Sequence, residues 1–281
     1  MAEKPYALFT LAGAIYGEFL TRHWLPSLLE NVDLSKIDVI VLDHGLASEH
    51  RQLVESHGII CHSMSHTGIA IGNMRYKEMA SVLQKHHYDQ VVLMDAGDII
   101  FQGDFSTVFE ENKNSFRAPC EDVDAAVHEW IMKGTDFLPG KWREITDLLR
   151  GKRCVNTSAV FAPAEKYIYL SEYLEKCCKS YDEFGTDQAV LNHLLYSEGF
   201  VQLPSKYNFV LCTTRERYTI RRGVFFDSAG EAIPVVHNAG GQEKNRVIRN
   251  FGYGQNYNKR KMFRALIGRV LQNIAAWYWG R

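Results

Sequence analysis

The run Gln90-Val91-Val92-Leu93-Met94 is apolar without alternation, stops at Asp95-Ala96-Gly97-Asp98, and is followed at once by Ile99-Ile100-Phe101. A strand with one wet face alternates. A run that is apolar at every position is buried on both faces, as in the interior of a parallel sheet covered by helices. Two carboxylates at the carboxyl end of such a strand fall where open α/β sheets receive their ligands. Close acids repel, and a hard divalent cation with oxygen ligands is the usual remedy. The other reading is a turn whose Asp and Gly residues merely suit the backbone.

The segments before this run support an α/β fold. Tyr6 to Leu11 reads as a first strand, Gly17 to Leu29 as a helix, Ile37 to Leu42 as a second strand ending at Asp43, and Ile59 to Cys61 as a third. Ile69 to His87 suits a helix leading into the strand before Asp95. Strands separated by helical stretches point to βαβ units and a mostly parallel sheet. Past Asp98 the order loosens. Phe116 to Ala118 and Val155 to Phe161 read as strands, Tyr167 to Lys179 and Thr186 to Tyr196 as helices, and Val235-Val236 as a short strand ending at His237. Phe137 to Arg153 reads as an excursion, either a surface connection or a lid or acceptor-side loop.

At 281 residues the chain has room for one large α/β domain, and neither a repeat nor a linker divides it. The expected division is a domain over 1–258 and a distinct tail over 259–281. The net charge of −1 hides this asymmetry. The tail holds six of the 32 basic residues (Lys259, Arg260, Lys261, Arg264, Arg269, Arg281) and none of the 33 acidic ones, so the body carries 26 against 33, a net of −7. Met262, Leu266, Val270, Ile274 and Trp277 recur every three or four residues, the pattern of an amphipathic helix. With its cations and Trp277-Tyr278-Trp279, it suits an interfacial membrane helix; a terminal helix docked on the body is the alternative. The acidic body and the lack of a recognition motif argue against nucleic acid as a partner.

No run approaches the ~20 apolar residues of a membrane span, and the start lacks the apolar stretch of a signal peptide. The six cysteines show no metal-type spacing, and the neighbours Cys177 and Cys178 suit no mutual disulfide. The expected setting is the reducing cytoplasm, with the tail placing the protein on the inner face of the membrane.

Three later segments join the acid pair: Asn156-Thr157-Ser158 on a predicted strand, Thr186-Asp187-Gln188-Ala189-Val190-Leu191-Asn192 opening a helix, and Val236-His237-Asn238-Ala239-Gly240 with Lys244 beyond. In this order the chain resembles a GT-A type glycosyltransferase, closest to the retaining family that contains glycogenin and bacterial lipopolysaccharide galactosyltransferases. The resemblance runs from about Tyr6 to Lys244 as short motifs. It implies a Rossmann-like mixed sheet, mostly parallel and flanked by helices, with the C-terminal amphipathic helix appended.

The resemblance also implies roles. Asp95, Asp98 and His237 would hold manganese, with magnesium as the alternative, to neutralise the departing nucleoside diphosphate of a nucleotide-sugar donor. A carboxylate and imidazole set suits manganese better than calcium. The usual motif has one residue between its acids; here Ala96 and Gly97 both intervene, and Asp98 is the preferred metal ligand, with Asp95 shared between metal and ribose. Lys244 would touch the diphosphate, seven residues after His237, a longer interval than the family shows. Arg75 and Lys77 would reach the phosphates or the sugar, Thr10, Leu11 and Ala12 would cup base and ribose, and Asp43 would lie near the base. Asn156 and Asp187 would hold the donor sugar, and Gln188 would stabilise the positive charge of an oxocarbenium-like transition state. Thr186 and Asp187 also suit a helix start, with Thr186 as its cap.

The expected function is therefore metal-dependent transfer of a hexose, UDP-linked by resemblance, to a glycan or lipid-linked saccharide with retention of configuration. One rival, a sugar nucleotidyltransferase, needs a glycine-rich basic loop after the first strand, and Leu11-Ala12-Gly13-Ala14-Ile15-Tyr16-Gly17-Glu18 is poor in basic residues. The other rival is a nucleotide-sugar-binding protein without turnover. Arg143, Arg215, Arg217, Arg221 and Arg222 are candidates for an acidic acceptor, or ordinary surface charge.

Overall fold

A computed structural model describes residues 4–65, 71–240 and 246–257. Strands β1 (Tyr6–Ala12), β2 (Ile37–Asp43), β3 (Ile60–Ser63) and β4 (Gln90–Leu93) run parallel in the order β3-β2-β1-β4. The chain moves outward from β1 to β3 and then returns to the far side of β1. A crevice therefore opens beyond the carboxyl ends of β1 and β4, the switch point where such sheets bind ligands.

The non-alternating runs have a direct structural counterpart. Ala7, Phe9, Ile40, Leu42, Val91 and Leu93 enter one core, and Leu8, Val39, Val41, Val92 and Met94 enter another on the opposite face. Successive strand side chains point to opposite faces, so a strand buried on both must be apolar at both parities.

After β4 the sheet becomes mixed. β5 (Ile99–Phe101) leaves it, while β6 (Arg117–Asp124), β7 (Arg153–Val155), β8 (Val160–Pro163) and β9 (Val201–Leu203) extend it. β8 lies antiparallel between β4 and β6, β7 is antiparallel to β6, and β9 is parallel to it. Beyond these come β10 (Phe209–Val210), a hairpin of β11 (Thr219–Arg221) and β12 (Val224–Phe226), and β13 (Val235–His237). β13 pairs with β10 in parallel and with β5 in antiparallel fashion, over a third core that includes Ile100, Phe209, Phe225 and Val236. The expected α/β class and mostly parallel mixed sheet are present. The C-terminal amphipathic helix and the 1–258/259–281 boundary lie outside the described residues.

Several expected elements differ. The single strand Val155 to Phe161 is two strands joined by a turn: Asn156 Oδ1 accepts the Ser158 N–H at 2.9 Å and Ala159 takes φ +59°. This Asx turn competes with strand pairing and wins. The helix over 69–87 is shorter, a 3₁₀ turn Ile71–Met74 followed by an α-helix Arg75–Leu83. A helix at Ser48–Ser56 had no distinct sequence signal. The excursion 137–153 is not a loop: it contains a helix, Lys141–Leu149, that buries Ile145 and Leu149 and packs against the helix Thr186–Glu198. That anchoring makes it part of the body. All six cysteines are free thiols. Among the described residues no helix is long and apolar enough to cross a membrane.

His128 starts the short helix His128–Ile131, is 1% exposed, and among the described residues finds no hydrogen-bond partner for either ring nitrogen. Burial pushes its imidazole down to about 4. The unfolded chain takes up this proton near pH 6.5 and the folded chain only near 4. Stability from this residue is complete above pH 6.5 and is lost as pH falls between these values. The loss amounts to about 3 kcal/mol. Urea unfolding at pH 7.5, 5.5 and 4 should show it, and a His128→Leu chain should give a flatter profile over that range.

Candidate active site

β4 delivers Asp95 to the mouth of the crevice, and β5 begins one residue after Asp98. The β5–β13 pairing sets His237 opposite Ile99, and the Asn238 N–H donates to the Asp98 carbonyl at 2.8 Å. This register places His237 Nε2 3.2 Å from Asp98 Oδ1 and 4.0 Å from Asp95 Oδ2. One ligand atom from each of the three lies within 4.8 Å of the others.

The electrostatics fit a cation at their centre. Burial alone would lower the His237 pKa, but Asp98 and then Asp95 outweigh it and hold the imidazolium above its ordinary value. Burial alone would raise the Asp98 pKa, but His237, Arg246 and Arg75 hold its carboxyl below the usual range. The proton on this buried pair does what a divalent ion with two oxygen ligands and one nitrogen ligand would do. Arg246 Nη2 adds a further charge contact, 3.2 Å from Asp98 Oδ2.

The second half of the site lies across the crevice. Arg75, at the start of its helix, reaches Asp95 Oδ1 with Nη1 at 3.0 Å and lies with Nη2 3.0 Å from Asp187 Oδ2. Its Nε donates to the Gly72 carbonyl at 2.7 Å, which fixes the guanidinium plane. Burial would weaken the Arg75 charge, but Asp187 and Asp95 more than restore it. For Asp187 burial prevails and its pKa stands above the ordinary value despite Arg75. Its neighbour Gln188 donates from Nε2 to Cys154 Sγ at 3.1 Å.

The helix carrying Asp187 and Gln188 starts differently from expectation. Gly185, with φ +93°, is the cap, and Thr186 is the first helical residue. Thr186 therefore sits one residue inside the helix, where its hydroxyl donates to Asp136 at 2.8 Å. A free helical N–H is met from outside instead, by Asn73 Oδ1 accepting from Asp187 N at 3.2 Å. Asn73 also donates to the carbonyls of Tyr181 and Glu183. Asp136 and Asn73 together pin the turn that precedes the helix.

The remaining sequence candidates divide. Ala12 and Thr10 are buried on β1, and Thr10 Oγ1 has no hydrogen-bond partner among the described residues; Leu11 is half-buried. Gly97 is needed where it is, since a Cβ there would meet the Tyr16 ring at 2.4 Å; Ala96 beside it is buried. Asp43 accepts from Gly45 N and Leu46 N and pairs with Arg51 at 2.9 Å. Lys77 is not brought to the acids. It pairs with Glu175 at 3.0 Å and covers the Tyr181 ring, because residues two apart on a helix face different ways. Asn156 lies in the turn between β7 and β8 and donates to Glu121 at 2.9 Å. Lys244 lies outside the described residues. Of the candidate arginines, Arg143 sits 3.7 Å from Asp147 on an exposed helix face and Arg221 covers Phe226. Sequence reasoning missed Tyr16, Glu121, Asn208 and Arg246. Only Tyr16, in the first βα turn, carried a positional signal.

A Rossmann-like mixed sheet with acids and a histidine converging at its switch point is the GT-A arrangement, and the chain has that fold. It superposes on the galactosyltransferase LgtC, solved in complex with donor and acceptor sugar analogues, over 84% of this chain and 87% of that one, with a TM-score of 0.53 and 17% identity. WbbM, a bifunctional glycosyltransferase solved in its apo form, matches over 74% of this chain at a TM-score of 0.49 and 14% identity, and the chain spans only 40% of WbbM's length. No family model matches the sequence, and no curated protein matches it. At these identities the likeness is one of fold.

Proposed function

We propose that the chain is a metal-dependent glycosyltransferase that moves a hexose from a UDP-sugar to a hydroxyl of a glycan or lipid-linked saccharide, with retention. The convergence of Asp95, Asp98 and His237 from distant chain segments at the switch point of a GT-A fold carries this reading. In the reaction the anomeric carbon–oxygen bond to the diphosphate breaks with its electron pair leaving on the diphosphate oxygen, a bond to the acceptor oxygen forms, and the acceptor hydroxyl's proton passes to that departing diphosphate. Asp95, Asp98 and His237 would hold manganese, or magnesium in its place; when bound, the ion neutralises the charge that develops on the departing UDP.

Arg75 holds Asp95 and Asp187 at a fixed spacing, so the phosphate and sugar sides of the donor are aligned by one guanidinium. Asp187 and Asn156 hold sugar hydroxyls. With its nitrogen engaged on Cys154, Gln188 offers its amide oxygen, the atom suited to face a positively charged anomeric carbon. Thr10 to Ala12 receive the base and ribose, and Lys244 and Arg246 bring positive charge to the diphosphate. The basic segment 259–281 would hold the protein at the anionic inner membrane surface, close to lipid-linked acceptors.

A panel of UDP-sugars assayed for manganese-dependent UDP release should single out one donor. Gln188→Ala should lower turnover by about 10²-fold and leave manganese binding intact. Release of no UDP from any donor, with glycan and lipid acceptors supplied, overturns the reading.

A further inference from the structure

His237 Nδ1 lies 2.9 Å from Asn208 Oδ1, on the side of the ring away from the acids. The orientation of the Asn208 amide is fixed independently: its Nδ2 donates to the Ser158 carbonyl at 3.0 Å, which leaves Oδ1 as the atom facing the ring. An oxygen can only accept, so Nδ1 carries the hydrogen and Nε2 is the nitrogen turned to Asp95 and Asp98. Asn208 is 5% exposed and His237 2%, so water does not compete for this bond. Ser158 joins the same frame from its other end, its Oγ accepting the Asp95 backbone N–H at 3.1 Å. Asp95, on the β4 side, and His237, on β13, are thus tied through the β7–β8 turn and Asn208.

We propose that Asn208 is a positioning residue that fixes the ring plane and tautomer of His237, so that Nε2 is presented to a divalent cation held with Asp95 and Asp98. The inference rests on the metal reading of the site and adds a residue to it. A histidine whose far nitrogen is held this way is oriented before the ion arrives, and losing such a partner typically weakens metal binding by about 10–100-fold.

The test uses the full chain and Mn²⁺ alone, without nucleotide sugar, and follows free Mn²⁺ by electron paramagnetic resonance. Asn208→Leu keeps the branched shape and removes the acceptor, and should weaken Mn²⁺ binding about 10–100-fold. The same change in a His237→Ala background should have less than about a twofold effect, because its route to the ion is gone. A merely structural role, through Ser158 and Asp95, would weaken binding equally in both backgrounds and overturns the proposal. Asn208→Asp gives up the bond to Ser158 but keeps an acceptor for Nδ1–H, so it should bind Mn²⁺ within about threefold of the unmodified chain; binding as weak as in Asn208→Leu overturns the proposal.

Should Asn208→Leu fail to fold, long-range ¹H–¹⁵N spectra of the unmodified Zn²⁺-loaded chain decide it. Protonated Nδ1 on His237 supports the proposal and protonated Nε2 overturns it. An unmodified chain that binds no Mn²⁺ fails both the metal reading and this inference. A chain that binds Mn²⁺ and shows the Asn208 pattern but releases no UDP fails only the transferase reading.

Discussion

Asp98→Asn should lower manganese-dependent UDP release by about 10²–10³-fold, the cost of removing one preorganised electrostatic element from an active site. Asp98 is the acid nearest the His237 ring, 3.2 Å from Nε2, while Asp95 stands at 4.0 Å and has its other oxygen on Arg75. The amide keeps the shape but supplies neither the charge that attracts a divalent ion nor two equivalent oxygens. It also leaves two cationic neighbours, His237 and Arg246, facing an uncharged group. Asp95→Asn should cost less, because the Asp95 charge is already partly spent on Arg75. The measurements are kcat/KM for UDP release with the selected donor and an Mn²⁺ titration of each variant. A larger loss in Asp95→Asn than in Asp98→Asn would reverse the ranking of the two acids. Unchanged Mn²⁺ affinity in both would remove the acid pair from the metal site altogether.

The largest effect on stability is expected at Arg75. Its guanidinium is nearly enclosed, contacts carboxylates on two elements, and is fixed through Nε to the Gly72 carbonyl. Arg75→Leu fills part of the space but strands Asp187, which is 4% exposed and whose other oxygen accepts the Gln188 backbone N–H. Breaking a buried ion pair from one side costs about 3–5 kcal/mol, because the surviving charge is left unpaired in a poorly solvated place. Burial already raises the Asp187 pKa with Arg75 present. Without Arg75 it rises further, and protonation relieves the unpaired charge. The deficit of Arg75→Leu against the unmodified chain should therefore shrink as pH falls from 8 towards 5. Adding Asp187→Asn to Arg75→Leu should recover part of the lost stability at pH 8, a coupling that double-mutant analysis of urea unfolding reads directly. Strict additivity of the two changes would show that the pair contributes nothing as a pair.

The pairing of these two predictions reflects how the site is assembled. Asp98 and His237 come from strands that meet only through the β5–β13 register, and Arg75 and Asp187 from two helices on the other side of the crevice. Asp95 touches both halves, through Arg75 on one side and His237 on the other. A change in either half is therefore felt at Asp95.

What the sequence by itself determined were the features that depend on near neighbours in the chain. The runs of β1, β2 and β4 are apolar at both parities, and that alone required a sheet covered on both faces. The position of Asp95 and Asp98 at a strand end, and of Asp187 and Gln188 in the first turn of a helix, followed from local pattern in the same way. Local reasoning failed where a side chain had more than one partner to choose from. Asn156 turned the backbone instead of extending it, and Thr186, with its hydroxyl on Asp136, fell one residue inside its helix behind Gly185 instead of capping it.

Only the tertiary structure decided which distant residues meet. His237 reaches Asp98 because β13 pairs with β5 in one register, and a slip of one residue would turn it to the other face of its strand. Asn208, Arg246 and Tyr16 entered the site, and Lys77 left it for Glu175, through packing between segments far apart in the chain. Periodicity records which face of an element is buried. It holds no record of what that face is buried against, and at this site the partners decide the chemistry.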